Sequence, residues 1–211
     1  MIKNIVINAP VGCGNVFLQH LIKENMVAQI VWKNHHILGF DSKEINLFPL
    51  RDPYQAIPSG IELRIGDLHP WEKSEFDANF EFAMKEKIIR HAATYLHFLN
   101  IVDYFDYITP VAFDFFTQEP EKFLMYLHKN FDIPFKDEKI RISGEKIKKG
   151  IAESDNTQIN RRVPREKTLD RKIIDTIVHN YEPIEYLHKQ YSVRRESLRL
   201  VENMLCLDND L

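Results

Sequence analysis

The sequence predicts an α/β domain of three layers, a mainly parallel sheet flanked by helices, and three observations carry that prediction. Short apolar runs rich in Ile and Val alternate with longer stretches whose apolar residues recur at three- and four-residue steps. A Gly-containing loop stands between the first run and the first such stretch. The 211 residues, 44% hydrophobic and 28% charged, supply one sizeable core, so a single domain over 1–211 is expected rather than two. In such a sheet ligands bind at the carboxyl ends of the strands, which places the 10–15 loop at the expected site.

Residues 2–9 (IKNIVINA) read as a strand, followed by Pro10, Val11, Gly12, Cys13 and Gly14, then by Phe17, Leu18, Leu21 and Ile22 at helical spacing. Residues 27–32 and 45–50 are two further strands, and Pro49 predicts an irregular end or an edge position for the latter. From 77 to 99 the apolar residues Phe80, Ala83, Met84, Ile88, Ala92, Tyr95, Leu96 and Leu99 mark a long amphipathic helix. Residues 107–113 read as a strand interrupted by Pro110. A helix begins near Thr117 with Pro120 in its first turn, and it buries Phe123, Leu124 and Leu127. Helical stretches at 169–181 and 184–191 are split at Pro183, and the weakly periodic interval 136–167 reads as a mobile loop.

Composition narrows the function classes. No apolar stretch approaches the roughly 18 residues that cross a bilayer, and the N-terminus enters a strand-like run without a signal-peptide pattern, so a cytoplasmic protein with no membrane span is expected. Cys13 and Cys206 are far apart and form no C-x-x-C pair, which argues for neither a disulfide framework nor a zinc site. The formal net charge of −3 is uneven: residues 136–172 hold 12 Lys/Arg against 7 Asp/Glu, the remainder 16 against 24. That local positive excess suits an anion, or is an ordinary solvated surface, and the chain is not basic enough to make nucleic acid a partner.

Two constellations carry chemistry. In the first, Pro10, Gly12, Cys13, Gly14, Asn15 and Val16 join a strand to a helix; the glycines let backbone approach a phosphate and the helix N-terminus favours an anion, although the same turn serves equally in a purely structural role. A Walker A loop needs Lys and then Ser or Thr after its last glycine, and Asn15-Val16 supplies neither, which disfavours ATP or GTP hydrolysis. Cys13 at a helix start could be activated, but a cysteine phosphatase loop would carry Arg where Gln19 stands, and Cys13 is read as inert. In the second constellation Arg51 ends a strand and Ser59 follows eight residues on, where a turn of chain brings a forked cationic donor and a neutral donor to one anion. His20 lies within the first helix and is read as non-catalytic. Trp71, in the loop His69-Pro70-Trp71, either packs or lines a pocket, and Phe113, Phe115 and Phe116 are assigned to the core.

Arg51, Pro53 and Ser59 match the 3′-phosphate motif of the sulfotransferase family, and here the chain resembles that family, whose fold is P-loop NTPase-like. The resemblance runs in order along most of the chain. Gly14 aligns with the glycine of the family's 5′-phosphosulfate loop, Cys13 with its serine and Phe17-Leu18 with its apolar pair; the long helix and the segment from Tyr107 to Phe135 are also similar. The resemblance implies a cofactor, 3′-phosphoadenosine 5′-phosphosulfate, held by Pro10, Gly12, Cys13, Gly14, Asn15 and Val16 at the phosphosulfate and by Arg51 and Ser59 at the 3′-phosphate. It implies sulfuryl transfer to a hydroxyl or amine of a small-molecule or glycan acceptor, without a metal. His35 and His36 occupy the stretch where many members carry the general base, though a surface or packing pair would sit there as well.

Three departures accompany the likeness. Gly12 stands where the family's loop has its basic residue and Asn15-Val16 replace its hydroxyl pair. The Arg-Lys-Gly loop near the C-terminus is absent in that form, and Arg161 and Arg162, with Arg165, either replace its charge or form an exposed turn. The interval before Arg51 is short, so the acceptor pocket is reduced or built from elsewhere. Two alternatives therefore stand beside a sulfotransferase: a catalytically inactive binding or interaction module of the same fold, and a nucleoside or nucleotide kinase on a degenerate loop.

Overall fold

The computed structural model describes residues 2–32, 41–66, 74, 77–137 and 169–207. His35, His36, Trp71, Arg161, Arg162, Arg165 and most of the 136–167 interval lie outside the described residues. Four strands, β1 (Lys3–Ile7), β2 (Ala28–Trp32), β3 (Ile45–Leu50) and β4 (Ile108–Ala112), form one wholly parallel sheet in the order β2-β1-β3-β4. The seven described helices are α1 (Asn15–Asn25), α2 (Pro53–Gly66), α3 (Phe80–Tyr104), α4 (Phe113–Gln118), α5 (Pro120–Phe131), α6 (Leu169–His179) and α7 (Glu182–Leu207). No described helix is long and apolar enough to cross a membrane.

Alternation along the strands divides the core in two. Ile5, Ile7 and Leu47 point to the face covered by α1 and α5, where Leu18, Leu21, Ile22, Leu124 and Leu127 are fully buried with them. Phe48 and Leu50 point to the opposite face and meet Ala56, Ile57 and Ile61 of α2, Ile88, Tyr95 and Phe98 of α3, and Val178 and Ile184 of α6 and α7. Phe48 stacks on Phe98 with ring centroids 5.8 Å apart. Phe115 and Phe116 lie in the first of these cores, as the sequence predicts, while Phe113 is only half-buried.

Three expectations need correction. β3 is an interior strand, not an edge, despite Pro49. The amide of Asn8 donates to the Leu47 carbonyl (3.2 Å), so Leu47 faces β1; Pro49, two residues on, faces the same way beyond the last β1–β3 pair, Ile7 with Leu47, and its missing N–H costs no ladder bond. Residues 53–59 are helical rather than a turn. Asp52 caps α2, its Oδ1 accepting from the Tyr54 amide (2.9 Å) and its carbonyl from the Ala56 amide (2.8 Å), and Pro53 occupies the first helical position, where its fixed φ is suited. Finally, the last helix starts at Glu182, with Pro183 in its first turn, and runs to Leu207 instead of 191.

α7 passes over the ends of β3 and β4. His188 reaches Asp52 just after β3, and Arg195 forms a forked pair with Asp114 just after β4, Nε to Oδ1 at 3.1 Å and Nη2 to Oδ2 at 2.8 Å, while its Nη1 holds Glu202 at 3.0 Å. Arg195 is 8% exposed, so the pair is bound into the fold rather than screened by water. Replacing Arg195 with Met is expected to cost about 2–3 kcal/mol, below the full cost for a buried pair because Asp114 keeps contact with solvent. Urea unfolding checks this, and a loss under about 1 kcal/mol would show that the pair holds α7 weakly.

Candidate functional site

β1 leads through α1 to β2 on one side of the sheet, while β3 lies on the other side of β1 and leads into α2 on the opposite face. The chain thus leaves neighbouring strands in opposite directions, and the crevice between their carboxyl ends is where doubly wound sheets receive ligands. Two segments border it: the 8–14 loop after β1, and Arg51-Asp52 after β3.

The loop is shaped by its two left-handed glycines. Gly12 has φ +91° and Gly14 φ +86°, conformations that favour glycine. A Cβ on Gly12 would collide with the Ala56 carbonyl oxygen of α2, and one on Gly14 would stand 2.6 Å from the Phe113 ring. Across the same contact a Cβ on Gly60 would lie 2.9 Å from the Val11 carbonyl. The glycines therefore let loop and α2 backbones touch, a packing role that comes in addition to any approach to a ligand. Asn15 closes the loop by donating from Nδ2 to the Ala9 carbonyl (3.2 Å), and Gly14 precedes α1 with no side-chain cap.

Cys13 is wholly buried in the core beneath α2, and burial pushes its thiol up to about 12. That is the inert cysteine the sequence predicts; only its backbone could face an anion. Pro10 is buried, Val16 half-buried.

Arg51 crosses the crevice. Its Nη1 donates to the Gly12 carbonyl (2.7 Å), and its guanidinium lies over the Phe113 ring, 4.2 Å from the centroid. Its backbone is fixed from behind by the fully buried Tyr95, whose hydroxyl donates to the Arg51 carbonyl. Burial pulls the guanidinium below its ordinary range; the charge of Arg171 adds to this, and Asp52 opposes it. Nε of Arg51 is buried without a partner and no carboxylate pairs with the side chain among the described residues, whereas Arg171 is paired with Glu62 (3.1 Å) and Asp175 (2.9 Å). Such a cation is destabilised where it stands, and a bound anion would relieve it.

Ser59 stands in the second turn of α2, on the flank of the face that carries Ala56 and Gly60 against the loop. The structure thus brings Arg51 to the 10–14 loop and puts Ser59 beside the same helix contact. Sequence reasoning missed Asp52 and His188. His188 Nδ1 lies 3.1 Å from Asp52 Oδ1, and the Tyr54 ring, stacked on His179 at 4.7 Å, leans against His188 at 5.0 Å. The pairing joins residues 136 positions apart; the Asp52-Pro53 cap was the signal within reach. No group of three or more potential metal-ligating side chains stands together among the described residues.

In comparisons with protein-family models, with curated proteins and with solved structures, no match was found.

Two outcomes test the site's construction. Gly12→Ala is expected to cost about 2 kcal/mol or more, combining a strained φ with the collision at Ala56, read as a drop in the urea midpoint; a neutral change would mean that loop and helix separate easily. Native Cys13 should resist iodoacetamide at mildly alkaline pH and react only as fast as the protein unfolds, followed by peptide mass spectrometry, and rapid native labelling would contradict its burial.

Proposed function

We propose that this chain is a sulfotransferase-like protein of P-loop-like fold that binds 3′-phosphoadenosine 5′-phosphosulfate and transfers its sulfuryl group to a hydroxyl or amine acceptor. The observation that carries the reading is Arg51, a half-buried guanidinium with no carboxylate partner among the described residues, held on the Gly12 carbonyl at the crevice between β1 and β3. An orphaned cation beside a glycine loop and a helix N-terminus fits a phosphorylated ligand. The cofactor would supply an activated sulfuryl group on a phosphate leaving group. The protein's own part is to position it and to hold the charge that develops on the leaving phosphate.

Gly12 bears on whether the protein turns over. The collision with Ala56 forbids a basic side chain at that position, which favours a second reading, a module that binds the nucleotide without catalysis. Against it, Arg51 brings a cation to the Gly12 carbonyl from β3 and so supplies charge at the loop by another route. Ser59 and the 10–16 backbone complete the proposed binding set; the acceptor is a small molecule or a glycan.

Calorimetric titration of adenosine 3′,5′-bisphosphate tests the reading, with ATP–magnesium as control. Wild type should bind the bisphosphate selectively, and Arg51→Ala should weaken it by a factor of about 10 to 100, the range for a lost charge-assisted hydrogen-bonding partner. A folded wild type that ignores the bisphosphate would sink the cofactor assignment and leave the α/β fold alone.

A further inference from the structure

We propose that Tyr95 of α3 and Phe113 at the start of α4 are positioning residues of the anion site: they fix the backbone and the guanidinium plane of Arg51, so that one edge of it is presented to a phosphate. The inference rests on the reading of Arg51 as a nucleotide-binding residue and adds the two side chains that aim it. Neither is assigned a contact with the ligand.

An arginine side chain is among the costliest to immobilise, so a ligand that must order it binds more weakly than one that finds it already ordered. Here Arg51 is held at both ends. At the backbone, the hydroxyl of Tyr95, 1% exposed, donates to the Arg51 carbonyl. Its reach is set by the core contact beside it: Phe98, three residues further along α3, stacks at 5.8 Å on Phe48, which lies three residues before Arg51 on β3. The N–H of Arg51 is directed at the sulfur of the wholly buried Cys13. Both backbone polar groups of the arginine are therefore engaged, one by the glycine loop and one by α3.

At the other end Phe113 covers one face of the guanidinium, 4.2 Å from Cζ to the ring centroid. That ring is braced edge to face on Phe116 at 5.5 Å, and it fills the space that a Cβ on Gly14 would need. In the guanidinium plane, Nη1 is held on the Gly12 carbonyl (2.7 Å) and Nε is sealed from solvent. Nη2 makes no hydrogen bond among the described residues. With a face and Nη1 fixed, the Nη2 edge is the donor left for a phosphate oxygen, and its direction is set before any ligand arrives.

Both side chains also pack, so a loss of stability would not separate aiming from packing, and the test is a double-mutant cycle read in affinity. Calorimetry with adenosine 3′,5′-bisphosphate uses the full chain as wild type, Tyr95→Phe, Phe113→Leu, Arg51→Ala and the two double variants, with circular dichroism and urea titration showing each one folded. The bisphosphate concentration is raised for the variants that lack Arg51. Tyr95→Phe removes only the hydroxyl; Phe113→Leu keeps an apolar side chain against Gly14 and removes the ring. Each should weaken the bisphosphate about 3- to 10-fold, the size expected of one hydrogen bond or one cation–π contact. In the Arg51→Ala background neither should weaken it further, because both act through the guanidinium. The drop in urea midpoint from Tyr95→Phe should persist in that background, since the carbonyl that its hydroxyl holds is still there. The assignment is overturned for a residue whose folded variant binds like wild type, or weakens binding equally with and without Arg51, and if Tyr95→Phe does not fold the Phe113 cycle decides the proposal. A folded wild type that ignores the bisphosphate would instead remove the reading beneath the proposal, and the proposal with it.

Discussion

The guanidinium of Arg51 is the contact on which the carboxyl end of this sheet is organised. It spans from the end of β3 to the backbone of the loop after β1, with one face on Phe113, which follows β4. Three consecutive strands of the sheet are therefore joined at their ends by one side chain. Its backbone is held by Tyr95 from α3, so a shift of that helix would be felt at the loop. A half-buried cation is costly, and the energy that keeps it there comes from packing around it: Gly12 against α2, Gly14 against Phe113, and Tyr95 sealed beneath.

α7 adds a second layer of constraint over the same end. It meets Asp52, two residues past β3, through His188 and Asp114, in the first turn of α4, through Arg195, and Leu198 packs against both halves of the core. A helix so placed ties the segments that follow β3 and β4 to one another. The aspartate that caps α2 is also the partner of His188, so the seating of α7 depends on how α2 begins.

Much of the fold could be read from the chain. All four strands follow from apolar runs, and in β1 and β3 those runs reflect burial on both faces. α3 and α5 follow from helical spacing, and α5 from Pro120 at its start. Helix α2 was hidden because Pro53 and Pro58 look like breakers, whereas one sits at the helix start and the other is tolerated inside. At the site, Arg51 and the glycine loop were visible as types, but the direction of the Arg51 side chain was not. Two residues 39 apart in sequence meet there, and only the sheet order puts them together. His188 lay further still from view, because its partner is set by the course of a helix that arrives from the far end of the chain.

Pro49 gives the sheet a lasting asymmetry. Beyond Leu47 the β1 side of β3 presents a residue that has no hydrogen to donate, while β3 continues to pair with β4 for three more positions, through Leu50 with Ala112. Residues 48–50 of β3 therefore pair with β4 alone. A loop insertion or a slip of register after β1 would find one ladder donor fewer there. The proline thus leaves the β1 side of β3 one donor short at the end where Arg51 reaches across to Gly12.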